Sequence, residues 1–560
     1  MKSLRWLPIA FIFLSTFANA QYTKYVVRFK DKAGTPYTID NPAAFLSQKS
    51  IARRQKQNIP IDSTDLPVTP AYIDSVRLAG NVVILNISKW LNQIGIATTD
   101  TAALNKINSF PFVIAEQPVQ QPVHLQKIVG NKLNEQIDSA TSVQGTGNVN
   151  DYYNYGNSYA QIHLHEGEFL HNLGFHGEGM SIAMLDAGYY HYQNLAAFDS
   201  LRNDNRVIET YNFVRDDTSV NLDYWHGMAC LSIMASNVPG QMVGNCPKAN
   251  YYLYVTENIA SESPAEEQNW AAGAERADSA GVDVISTSLG YTQFDNPALD
   301  HTYADMNGHT TIAARAAGMA AKKGMIVVIA AGNDGNDSWH YICTPGDADS
   351  SLTVGAVDIN GNVGSFSSYG PSSDGRVKPD VAAVGVASYI CSTSGTFITG
   401  NGTSFATPNM AGLVTCLWQA FPEFNNMQII QAVEKSSATY GSPDNRIGYG
   451  IPDFRIAYND LAAQRALKNI DSILGNAALK VYPNPFRDNF TLAIKPEHTA
   501  TAVFHLYDAS GKLYLVKKVS LQQGLSQIIQ FDNLQPLQKG IYILKFSDGQ
   551  SKKTIKLVMQ

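Results

Sequence analysis

Ile182-Ala183-Met184-Leu185-Asp186-Ala187-Gly188 is an apolar run that ends in a carboxylate and a turn. A run this short and this apolar reads as a buried strand. Similar runs, each bounded by polar or glycine positions, lie at 180–185, 251–256, 282–287, 325–330 and 352–357. Helix candidates stand between them, at 269–280 and 310–323. Strands alternating with helices predict an α/β fold with a parallel central sheet covered by helices. Sheets of this kind carry their ligands beyond the carboxyl ends of the strands. The polar residues that follow the strands therefore matter most.

Three further segments accompany Asp186. His226 precedes Gly227 and opens a helix whose apolar positions include 230, 233 and 234. Gly400-Asn401-Gly402-Thr403-Ser404-Phe405-Ala406-Thr407-Pro408 is a glycine-rich approach to a helix with an apolar stripe through Val414, Leu417, Trp418 and Phe421. Ile326-Val327-Val328-Ile329-Ala330-Ala331-Gly332-Asn333 is a strand that ends in an amide side chain. Taken singly, Asp186 and Asn333 read as turn residues and Ser404 as an N-cap. Taken together they have complementary chemistry. A serine hydroxyl needs a base to remove its proton, a histidine does this near neutral pH, and a buried carboxylate fixes the imidazole tautomer. An amide donor and a helix N-terminus favour negative charge developing on an attacked carbonyl oxygen.

In this order, the motifs D-A-G, H-G, A-A-G-N and G-T-S-x-A-x-P resemble the signature of the subtilisin-like (subtilase) family. The chain order Asp, His, Ser differs from that of α/β-hydrolases and of chymotrypsin-like enzymes. The resemblance covers about residues 159–463 and implies a three-layer subtilisin-like fold and a serine endopeptidase. It implies Asp186 as orienter, His226 as base and acid, Ser404 as nucleophile, and Asn333 as oxyanion donor beside the Ser404 backbone N–H. It also implies that Ser288, Leu289 and Gly290 pair with substrate backbone and, with Ala330, Ala331 and Gly332, wall the pocket for the residue before the scissile bond. Small residues there imply room for a sizeable side chain. The sequence departs from the family pattern at Ala187, at Met228-Ala229 and at Asn409. None of these changes removes a triad atom.

The flanks read differently. Lys2 and Arg5, an apolar stretch too short to span a bilayer, and Ala18-Asn19-Ala20 form a signal-peptide pattern over 1–20. Residues 21–115 read as a small α/β unit, with a strand at 25–29, helices at 41–57 and 70–79, and a strand at 82–85. Residues 116–157 have the polar composition of a linker accessible to proteolysis. These two segments resemble a subtilase propeptide, an α+β chaperone and intramolecular inhibitor, with a processing site in the linker. The peptidase domain is expected over 158–465. From 476 to 560 short alternating strands at 490–494, 502–507 and 541–546, separated by turns, predict a β-sandwich. Val481-Tyr482-Pro483-Asn484-Pro485, Gly540-Ile541-Tyr542 and the basic end Lys552-Lys553-Thr554-Ile555-Lys556 resemble the type IX secretion sorting domain of Bacteroidetes exoproteins. Partners implied are protein or peptide substrates, the chain's own propeptide and the type IX secretion machinery. The implied destination is the cell surface or the medium, by way of periplasm and outer membrane.

Composition agrees with a globular, multidomain chain: 560 residues, 44% hydrophobic, 16% charged, and a net charge of -7 that argues against a nucleic-acid partner. The five cysteines, Cys230, Cys246, Cys343, Cys391 and Cys416, form no C-x-x-C pair. For Cys230 and Cys246 a disulfide and two buried thiols both remain open. His163, His165, His171 and His176 lack the H-E-x-x-H spacing of a metal site and read as a lead-in helix. No cofactor is required by the implied chemistry. Structural calcium is common in the family, and no local carboxylate cluster in the sequence locates a site.

Overall fold

The computed structural model describes residues 23–121, 135–138, 150–221, 224–532, 534 and 537–560. The expected signal peptide and much of the expected linker lie outside the described residues. The chain divides into two compact units, Met1–Ala457 and Tyr458–Gln560.

The first unit begins with an antiparallel four-stranded sheet in the order Val83–Ser88, Gln93–Ala97, Lys24–Phe29, Val113–Gln120. Its apolar face packs with the helices Pro70–Arg77 and Thr101–Asn108 around Val27, Phe29, Ile73, Val76, Ile94, Ile96 and Ile107. The first helix starts at Gln48, later than the expected 41, because Ser47 caps it with its hydroxyl accepting from Ser50 N at 3.1 Å. The strand Val113–Gln120 runs past residue 115, where the polar composition had suggested a linker, because its backbone pairs with the Lys24–Phe29 strand.

Seven parallel strands form the main sheet, in the order Val381–Val384, Leu352–Val357, Ile326–Ala330, Val284–Thr287, Ser181–Asp186, Asn250–Val255, Val207–Asn212. Side chains alternate across a strand. Ala183, Leu185, Ile285, Val327 and Ile329 thus share one core with Trp270, Ala271 and Ala317 of the helices Ala265–Ala280 and Ile312–Lys322. The intervening Ile182, Met184, Val284 and Val328 are also fully buried. The helices His226–Ala235 and Thr403–Ala420 contact these strands as well. This is the helix-covered parallel sheet that the alternating pattern predicts, in the three-layer form that the resemblance implies. The edge strand Val207–Asn212 escaped the sequence reading because it is mixed in polarity and only partly buried. The strand order reverses between Ser181–Asp186 and Val284–Thr287, the position at which sheets of this kind carry their ligands, beyond the carboxyl ends of the strands.

The second unit holds most of a long helix, Phe454–Leu474, and two antiparallel sheets. One has the order Leu479–Tyr482, Phe490–Ile494, Gln527–Phe531; the other has Leu513–Leu521, Ala500–Asp508, Gly540–Ser547, Lys552–Met559. Phe490, Leu492, Phe531, Phe504, Leu506, Leu544 and Phe546 from both sheets form one core. The basic end of the chain forms an edge strand with Lys552 and Lys553 exposed. Charged lysines on such an edge discourage pairing with another chain.

Candidate active site

Asp186 is the last residue of its strand and His226 the first of its helix. His226 Nδ1 lies 2.6 Å from Asp186 Oδ1, and the same oxygen accepts from Ala187 N at 2.7 Å. The approach depends on Gly227: a Cβ there would stand 2.8 Å from Asp186 Cβ and 2.7 Å from Gly188 O. Both side chains are buried. Burial disfavours the imidazolium, but Asp186, Cys230 and Glu135 outweigh it and hold the His226 pKa well above its ordinary value.

Ser404 lies in the first turn of the helix Thr403–Ala420. Pro408, four residues on, has no N–H to give the Ser404 carbonyl. That carbonyl instead accepts from Ser288 Oγ at 2.8 Å and from Cys230 Sγ at 3.3 Å. The proline therefore frees an acceptor that ties three segments of the site together. Asn333 is oriented by the same helix: its Oδ1 accepts from Thr403 N at 2.8 Å and from Thr403 Oγ1 at 3.0 Å. With the oxygen so engaged, Nδ2 is left on the side of Gly402, where a Cβ would lie 3.7 Å from it.

Ser288, Leu289 and Gly290 follow the strand Val284–Thr287, and Ala331 and Gly332 follow Ala330, the end of the neighbouring strand. The two segments face each other across Cys343. A Cβ on Gly290 would lie 2.8 Å from Cys343 Cβ, and one on Gly332 would lie 2.6 Å from Cys343 Sγ. Glycine at both positions therefore makes room for the Cys343 side chain. Cys343 Sγ donates to Asp334 Oδ2 at 3.0 Å. Its place here has no local sequence signal, because it arrives from a loop after the Asn333 turn.

One more group enters the site from far away in sequence. Gln136–Asp138 pairs antiparallel with the strand Phe397–Asn401, with Gln136 opposite Asn401 and Ile137 opposite Gly400. Glu135, just ahead of it, is buried with Oε1 hydrogen-bonded to His226 Nε2. Its Cγ would be 3.1 Å from a Cβ on Gly402. Ser404 Oγ meanwhile donates to Ser288 O at 3.3 Å. In this state the imidazole Nε2 serves Glu135, and the serine hydroxyl serves a backbone carbonyl.

The remaining candidates have other roles. His165 Nδ1 bonds Pro452 O at 3.0 Å, and His171 bonds Tyr155 OH at 2.7 Å and Asn245 O at 3.0 Å. Burial lowers both pKa values to about 4, so both are neutral. His163 pairs with Glu168. The structure also gathers Glu257, Glu262 and Glu266, a cluster the sequence did not reveal. Glu266 accepts from Asn258 N and Ser263 N at the start of the helix Ala265–Ala280, and Glu257 accepts from Tyr291 OH. All five cysteines are free and buried. Cys230 Sγ points to His226 and Ser404, and Cys246 Sγ lies 3.7 Å from Cys416 Sγ, so the suggested Cys230–Cys246 bond is not formed.

Comparison with known proteins gives the same picture for each part. Residues 177–450 match the subtilase family, Peptidase S8. Residues 24–136 match the Peptidase S8 propeptide domain of Bacteroidota, and residues 480–560 match the secretion system C-terminal sorting domain. The chain is 28% identical over 274 residues to a thermostable alkaline protease of Halalkalibacterium halodurans, covering 49% of this chain and 66% of that protein. It is 30% identical over 300 residues to the serine protease AprX of Bacillus subtilis, covering 48% of this chain and 64% of that one. Subtilisin BL of Lederbergia lenta is 29% identical over 273 residues, 49% of this chain and 88% of that protein. The chain thus spans just under two thirds of the length of the first two relatives. The match of residues 177–450 to the subtilase family is thus flanked by matches to a Bacteroidota-type S8 propeptide domain and to a secretion system C-terminal sorting domain.

Proposed function

We propose that the chain is the precursor of a secreted serine endopeptidase that cuts peptide bonds through an acyl-enzyme formed on Ser404. The observation that carries this reading is the buried contact of His226 Nδ1 with Asp186 Oδ1, beside Ser404 in the first turn of a helix. Asp186 keeps the Nδ1 proton in place, so Nε2 is the basic nitrogen once the imidazole is neutral. Nε2 takes the Ser404 proton as Oγ attacks the substrate carbonyl, and returns it to the leaving amine. Water then repeats the sequence to release the acid. The Asn333 amide and the Ser404 N–H receive the negative charge that develops on the carbonyl oxygen. Nucleophile, base and charge donors all come from the chain, and hydrolysis needs no cofactor. An extended substrate would add a strand beside Ser288-Leu289-Gly290.

The chain's own segment at 135–138 supports the zymogen part of the reading, since Glu135 holds the nitrogen that catalysis needs. Residues 21–115 serve as chaperone and inhibitor, 116–157 hold the processing site, 158–465 form the peptidase domain, and 476–560 direct export through the type IX machinery to the surface or the medium. Among the described residues no helix is long and apolar enough to cross a membrane. A fluorophosphonate probe tests the central claim. It should label the processed wild-type chain on Ser404 and leave Ser404→Ala unlabelled and without peptidase activity. Retained activity in Ser404→Ala would reject the assignment.

A further inference from the structure

We propose that Glu135 is an alkaline-released latch: its carboxylate holds His226 in the charged form, so that the uncut precursor begins self-processing only when the imidazole loses its proton. The proposal rests on reading His226 as the base for Ser404, and it adds a specific residue and a trigger to the general idea of an inhibitory propeptide.

The geometry that places the latch is backbone pairing. Gln136 stands opposite Asn401 in an antiparallel register, so the next step of that register puts Glu135 opposite Gly402. The 3.1 Å separation between Glu135 Cγ and a Cβ on Gly402 agrees with that register. A side chain at 402 would crowd Glu135 in this seat. The carboxylate thereby reaches the one imidazole nitrogen that Asp186 leaves available. Among the described residues, the titratable groups that act most on His226 are Asp186 on its strand, Cys230 one turn along its own helix, and Glu135 on the docked segment. From the Ser404 helix the facing ring is Phe405, which carries no charge.

Protonation decides whether the contact holds. An imidazolium donates from both nitrogens and bridges Asp186 and Glu135. A neutral imidazole has one N–H, which Asp186 retains at Nδ1. Nε2 then faces the Glu135 oxygen lone pair against lone pair, and the contact turns repulsive. With the His226 pKa raised well above its ordinary value, the latch is closed below that raised pKa and lost as pH rises through it. Departure of Glu135 frees Nε2 to accept the Ser404 proton. The group that blocks catalysis and the group that starts it are therefore the same proton on the same atom.

The test uses the full-length chain, isolated in mildly acidic buffer and transferred to buffers from about pH 5 to about pH 10, with processing followed by intact mass. Wild type should process along a single alkaline limb. Glu135→Gln keeps the shape and lacks the charge that favours the imidazolium, so its limb should move to lower pH. An opposing charge this close shifts a pKa by about 1–3 units, which sets the displacement at about one pH unit or more. Glu135→Ala should move the limb in the same direction. Limbs that coincide with wild type in both variants, or a uniform change of rate at every pH with no displacement, would overturn the latch. Ser404→Ala in the same series separates the two claims. If it processes like wild type the catalytic reading fails, whereas a silent Ser404→Ala with undisplaced Glu135 variants removes the latch alone.

Discussion

Asn333 illustrates how a single side chain acquires its role from its neighbours. Its amide oxygen is held by the backbone N–H and hydroxyl of Thr403. Asn333→Ala is expected to leave the fold intact and to lower kcat by about 10²–10³, the cost of losing one oxyanion donor. Steady-state kinetics on a peptide substrate check this, and a loss confined to KM would assign Asn333 to the turn alone. Gly227 follows the same logic by omission. The Asp186–His226 contact exists because residue 227 has no Cβ to occupy the space between His helix and Asp strand.

Among the elements, the Ser404 helix organises the site. Nearly every residue of Thr403–Ala420 is buried, and the helix contacts four strands of the main sheet and the His226 helix. Pro408 removes one rung of its own hydrogen-bond ladder, and the freed Ser404 carbonyl is satisfied by Ser288 and Cys230. Ser288→Ala takes away the stronger of those donors. It should lower stability by about 1 kcal/mol, read as the urea midpoint in a Ser404→Ala background where self-cleavage cannot intervene. In the chain that keeps Ser404, Ser288→Ala leaves the Ser404 Oγ contact in place, because its partner is the Ser288 backbone carbonyl.

In the first unit as a whole, the propeptide is seated on the helix Ala265–Ala280 through buried charge. Arg54 bonds Asp65 and Asp278 at 2.7 and 2.8 Å, Lys323 bonds Asp65 at 2.8 Å, and Arg53 bonds Asp278 at 2.5 Å. Burial alone would raise the Asp278 pKa, but Arg53, Lys89 and Arg54 together lower it. Its contribution to docking is present above the ordinary carboxylate pKa and is lost only in acid. Glu275 behaves in the opposite way. It accepts from Ser88 Oγ, Lys89 N and Trp90 N, yet burial pushes its pKa from 4.5 up to about 7 despite Lys89 and those donors. A raised carboxylate pKa favours the protonated docked form, so this contribution is full below 4.5 and fades as pH rises to about 7. Dissociation of the processed propeptide is therefore expected to quicken between mildly acidic and neutral pH. Glu275→Gln, which has the shape of the protonated acid, should flatten that dependence. Gel filtration of the processed chain at a series of pH values measures both. Docking charge and catalytic latch then loosen in the same direction.

Reading the chain in order was enough to reveal the α/β class, the strands that lead to Asp186 and Asn333, and the helix starts at His226 and Ser404. Those features are local: periodicity, a turn after a strand and a glycine-rich helix entry are all written in adjacent residues. The mixed strand Val207–Asn212 was not legible, because its place at an edge comes from pairing and leaves it without an apolar pattern. The approach of Cys343 to Gly290 and Gly332 was not legible either, since it comes from another loop. Glu135 was invisible in a segment that reads as polar linker. Its burial against His226, 91 residues away, exists only because backbone pairing with Phe397–Asn401 carries it there. Short-range patterning thus determined which residues are candidates for the chemistry. Long-range packing decided which of them meet, and which one the precursor holds closed.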